Sequence, residues 1–65
     1  MKTMILEVLR KAKYEMRARE IAAEIDRWTM CVSVELREME KEGLVVSTLH
    51  NDWLNGESYF TWRMA

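Results

Sequence analysis

Apolar residues fall at Ile5, Val8, Leu9 and Ala12, with Glu7, Arg10 and Lys11 between them. That spacing predicts an amphipathic first helix over Thr3 to Ala12. After a connection through Lys13, Tyr14, Glu15 and Met16, the run Ala18, Ile21, Ala22 and Ile25 repeats the helical period and predicts a second helix, whose alanines and glutamates raise its propensity. The pattern breaks from Asp26 to Thr29 and resumes at Val32, Leu36 and Met39 as a third helix, with Glu38 and Glu40 facing outward. Thr29 is expected to cap this helix with its hydroxyl, and Gly43 to end it in a left-handed conformation. Trp28 is expected to be buried where the second and third helices cross.

Beyond Gly43 the texture changes. The segments LVVSTL and SYFTWRM are rich in β-branched and aromatic residues and predict two strands. Between them HNDWLNGE holds Asn51, Asp52, Asn55 and Gly56, which tolerate tight turns, so the strands should pair as an antiparallel hairpin. In the second strand Phe60, Trp62 and Met64 alternate with Tyr59, Thr61 and Arg63. This sets the first group against the helices and Arg63 on the outer face. With no proline, repeat or low-complexity linker, residues 1–65 read as a single α+β domain.

Composition narrows the function. A chain of 65 residues has room for one core, and at this length roughly 60% of the unfolded surface is buried, so apolar side chains at regular spacing read first as packing. The six methionines are read as adaptable core filler. A single cysteine, Cys31, excludes an intrachain disulfide framework and a cysteine-rich zinc site, and fits a reducing cytosol. Charges at Glu7, Arg10, Lys11 and Lys13 interrupt the apolar N-terminus before it reaches membrane-spanning length, so a cytoplasmic protein with no membrane partner is expected.

Catalysis is not expected, because His50 and Cys31 are the sole imidazole and thiol and lie on different elements. His50 reads as a surface loop residue. Cys31 reads as a small hydrophobe packed beside Val32, ahead of a redox-sensing thiol. Neither a glycine-rich phosphate loop nor a metal-ligand cluster is present, so no cofactor is expected.

Three helices followed by a hairpin resemble a winged helix-turn-helix domain of bacterial or phage transcription regulators, over nearly the whole chain. The segment REIAAEI, a tight turn, and the junction LREMEKEGLV carry the resemblance, with Leu36, Met39, Gly43 and Leu44 at the shared positions. Tyr59 and Thr61 resemble the tyrosine-x-threonine ending of the last wing strand. Asp26 stands in the turn where glycine is common, and Met16 and Arg17 precede the second helix where a serine or threonine cap is usual. The resemblance implies a C-terminal two-stranded β-hairpin wing and a compact phage or plasmid type of regulator that binds double-stranded DNA, with the third helix in the major groove and the wing and the start of the second helix on phosphates, as a dimer or beside a protein partner.

Charge complicates that expectation. The net charge is −1, which lacks the global basic excess of a nucleic-acid binder. Residues 1–27 carry a net +2 and residues 28–43 a net −2, so the third helix is acidic. Glu38, Glu40 and Glu42 lie in the later half, however, whereas base edges are reached from the N-terminal half. The exposed candidates there are Thr29, Met30, Ser33, Val34 and Arg37, with Arg37 suited to bidentate contact with guanine. Its alternative role is an exposed ion pair with neighbouring acids.

Arg17 and Arg19 near the start of the second helix, with Lys11 and Lys13 before them, are candidates for phosphate contact, unless they form an ordinary solvated face with Glu15 and Glu20. Trp53 and Leu54 at the wing tip read as a partner contact or as a lid over the core. The competing function is a protein-interaction module, adaptor or inhibitor, that uses the acidic third helix and the Trp53 wing.

Overall fold

Ile5 and Leu9, Ile21 and Ala22, and Val32, Leu36 and Met39 converge with Val45 and Trp62 in one buried cluster. The computed structural model describes residues 1–65. In chain order the elements are α1 (Lys2–Lys11), β1 (Met16–Arg17), α2 (Ala18–Ile25), α3 (Thr29–Lys41), β2 (Val45–Asp52) and β3 (Glu57–Met64). The architecture is α+β, with three helices on one face of a three-stranded antiparallel sheet of order β1-β3-β2. No helix is long and apolar enough to cross a membrane.

The helix ends follow local chemistry. Asp26 closes α2 in the left-handed conformation, φ 54°, while the Arg27 amide donates to the Ala22 carbonyl at 3.0 Å. Aspartate is one of the few non-glycine residues that adopts this region readily, so the residue unusual for the turn still makes it. Gly43, φ 80°, ends α3: its amide donates to the Glu40 carbonyl and the Leu44 amide to the Met39 carbonyl, at 3.0 and 2.9 Å. This is a Schellman stop, and it places Leu44 at the start of the sheet. At the start of α2 the Arg17 amide donates to the Glu20 carboxylate at 2.9 Å, which replaces the missing serine or threonine cap from the other direction.

Five sequence-based expectations are corrected. The hairpin is not alone, because Met16 and Arg17 pair with Trp62 and Thr61 as a third strand. Trp28 is 82% exposed: it is the N-cap of α3, and Ile21, Ala22 and Val32 already fill the space between α2 and α3. Thr29 is accordingly the first helical residue and its side chain makes no cap bond. Cys31 is exposed, since the apolar stripe of α3 runs through Val32, Leu36 and Met39. His50 belongs to β2, because that strand runs on to Asp52 and pairs His50 with Tyr59.

The alternation of β3 holds only in part. Trp62 is buried and Met64 half-buried against the helices, but Phe60 is exposed. Thr61 is buried although it points away from the helices. A polar cluster covers it: the Glu15 carboxylate accepts from the Thr48 and Thr61 hydroxyls at 2.7 and 3.1 Å, and His50 Nε2 lies 2.8 Å from Thr61 Oγ1. Since a carboxylate only accepts, Thr61 gives its one hydroxyl proton to Glu15 and takes one from His50 Nε2. Of the methionines only Met39 is fully buried, and Met30 is exposed on α3.

Candidate nucleic-acid interface

The start of α2 meets the outer side of α3 beside the central strand, and there Arg17, Arg19, Thr29, Ser33 and Arg37 line one shallow concavity of about 250 Å³. Ala18, Tyr59, Phe60 and Trp62 complete its wall, and no carboxylate is among the lining residues. Three arginines, the hydroxyl residues Thr29 and Ser33 and the phenol-bearing Tyr59 thus share an open surface. Guanidinium offers fixed, always-charged donors suited to phosphate oxygens, and hydroxyls add short-range contacts.

Each side chain is placed by its element. Arg17 is held in β1 by pairing with Thr61, and its guanidinium lies 4.2 Å from the centre of the Tyr59 ring. Tyr59 in turn stacks on His50 with centroids 5.0 Å apart. Arg19 sits exposed on the first turn of α2, where the helix dipole reinforces its attraction for an anion. On α3, Thr29, Ser33 and Arg37 recur at i, i+4 and i+8 and so share one face. Met30 and Val34 are exposed on the adjacent strip, whereas Ser33 is half-buried.

The acidic half of α3 is largely satisfied within the chain. Glu42 binds Lys2 at 2.7 Å and Glu38 binds Lys41 at 3.6 Å, while Glu40 turns from the expected outward position to accept from the Ser47 amide and hydroxyl at 3.0 and 2.7 Å. The last contact occupies a backbone donor on the edge strand β2, which protects that edge from pairing with another chain. Arg37 enters neither ion pair of the structure.

Lys11 and Lys13 are not part of the arginine concavity. They line a separate groove between α1 and α2. Trp53 and Leu54 occupy the hairpin turn, 91% and 97% exposed, so neither is a lid over the core. The contributions of Tyr59 and Phe60 to the concavity were not read from the sequence, because they follow from where β3 lies in the sheet. No three metal-ligating side chains are grouped to hold an ion. No protein-family model matches the chain, and no curated protein matches it.

Proposed function

We propose that this chain is a winged helix-turn-helix protein of the cytosol that binds double-stranded DNA and regulates transcription. The order α1-β1-α2-α3-β2-β3 supports that reading of the fold, with α2 and α3 as the helix-turn-helix and the β2–β3 hairpin as the wing. The observation that carries the function is the concavity lined by Arg17, Arg19 and Arg37 without a carboxylate. α3 enters the major groove, where Arg37 reads a guanine edge and Thr29, Met30, Ser33 and Val34 on the earlier turns contact neighbouring bases or their methyl groups. Arg17 and Arg19 hold the phosphates that set the register. Occupancy of a promoter by the bound protein then blocks or recruits polymerase.

Fluorescence anisotropy with random-sequence duplex at low and moderate salt tests the proposal. Binding that weakens steeply with salt is the expected result, with a log–log slope of roughly −0.9 per phosphate neutralised. No binding at low salt overturns it. The competing module, which docks a protein through the acidic α3 and the Trp53 wing, is favoured by the exposure of Trp53 but less well supported at α3, where Glu38, Glu40 and Glu42 each have a partner within the chain.

A further inference from the structure

Two features lie outside the arginine concavity. The first is the hairpin tip, where Trp53 and Leu54 stand almost fully exposed on a turn that is held in shape. Asp52 Oδ1 accepts from the Leu54 and Asn55 amides at 3.0 and 3.2 Å, and Oδ2 accepts from the Asn55 side-chain amide at 2.8 Å. The Gly56 amide closes the turn on the Asp52 carbonyl at 2.8 Å, with Gly56 at φ 68°. The apolar pair is thus presented in one conformation between two acids, Asp52 and Glu57. Acidic flanks repel phosphate, which argues against this tip entering DNA.

The second is the groove between α1 and α2, about 680 Å³ in volume, with an apolar floor that includes Met4, Val8 and Ile25. Lys11 and Lys13 stand on its rim, and Glu7 and Glu24 also line it. We infer that the hairpin tip of one copy docks into this groove of a second copy of the chain. Trp53 and Leu54 fill the apolar floor, Glu57 meets Lys11 or Lys13, and Glu7 or Glu24 accepts from the indole N–H, a donor that needs a partner once buried.

Geometry favours a reciprocal pair. Met16, which lines the groove, pairs with Trp62 near the far end of β3, whereas the tip lies beyond Glu57 at its start. Tip and groove therefore sit at opposite ends of the sheet, and two copies laid antiparallel place each tip in the other's groove. Area points the same way. Each docked tip buries its tryptophan, roughly 150–250 Å², together with Leu54 and the matching lining of the groove, and a reciprocal pair doubles that area toward the roughly 1,200 Å² of a stable interface. Both surfaces are clear of Arg17, Arg19 and Arg37, so this inference does not depend on DNA binding.

Sedimentation equilibrium of the full chain without DNA tests it, alongside a thermal melt that verifies folding of each variant. A reversible dimer is expected, with Trp53→Ala weakening association by roughly tenfold or more. Glu57→Lys and Lys13→Glu should each weaken it, and the two together should recover part of the loss. A wild-type chain that stays monomeric at its solubility limit overturns the inference. So does a folded Trp53→Ala variant that associates like the wild type, or an assembly that grows past the dimer as concentration rises.

Discussion

The Arg17 guanidinium rests on the face of the Tyr59 ring, 4.2 Å from its centre, so the central strand positions a cation that belongs to another element. An exposed cation–π contact of this kind contributes about 0.5–1 kcal/mol. Tyr59→Leu should therefore weaken duplex binding by a few-fold and leave the salt slope unchanged, because the charge remains. Arg17→Ala should instead make the slope shallower by about one unit for every DNA sequence. Anisotropy titrations at several salt concentrations separate the two, and an unaltered slope in Arg17→Ala removes Arg17 from the phosphate contacts.

Arg37 is exposed on the same face of α3 as Thr29 and Ser33 and is not engaged by an acid. Arg37→Ala should lower affinity for a preferred site by about 1–3 kcal/mol while relaxing discrimination at one base position. Selection of bound duplexes from a random pool, with wild type and variant in parallel, checks this. Identical sequence preferences in the two pools would eliminate Arg37 as a reader.

The tryptophans divide sharply in burial. Trp62 is 5% exposed within the core, and Trp62→Ala should destabilise the domain by about 3–5 kcal/mol, enough to leave it largely unfolded. Trp28→Ala, at an exposed N-cap, should change stability by no more than about 0.5 kcal/mol. Urea unfolding followed by circular dichroism gives both values. A large loss in Trp28→Ala would contradict the exposed placement.

Glu15 ties the residue before β1 to the outer face of the sheet. The Thr48 hydroxyl bond, then that of Thr61 and the nearby His50 and Arg63 charges, hold its carboxyl below the ordinary value of 4.5, against the opposing effect of burial. A folded-state pKa below the unfolded one means that the unfolded chain binds the proton more readily. The stabilisation is thus complete above the ordinary glutamate range and is lost as pH falls through the lower folded value. Glu15→Gln should be less stable than wild type at neutral pH, and the gap should narrow on acidification. Melts from pH 7 to pH 3 measure it, and a gap that stays constant would show that the Glu15 charge is not the source.

Much of the fold was legible because helical period and end signals act locally. The stripes Ile5–Leu9, Ile21–Ala22 and Val32–Leu36–Met39, and the stop at Gly43, follow from spacing and backbone preference alone. Strand β1 was not legible, since two residues carry no periodicity and Met16–Arg17 are extended because β3 offers them partners. Distance in sequence also hid the burial of Thr61, which depends on Glu15 returning across the sheet, while the place of His50 follows from the length of β2 and its pairing with Tyr59. Trp28 misled for another reason: its place between the second and third helices suggested burial at their crossing, but it is the N-cap of α3 and stands exposed while smaller residues fill that space. Of the basic candidates, Arg17, Arg19 and Arg37 were brought together, and Lys11 and Lys13 were directed elsewhere by the course of α1.

Strand β3 emerges last of the six elements yet lies between the other two strands. During synthesis β1 and β2 thus have no hydrogen-bonding neighbour until Glu57–Met64 has left the ribosome, and Trp62, which completes the core, arrives with it. A premature stop before Glu57 should yield a protease-sensitive chain rather than a smaller working domain. Quality control would then see an all-or-nothing product, with no truncated species persisting beside the full chain.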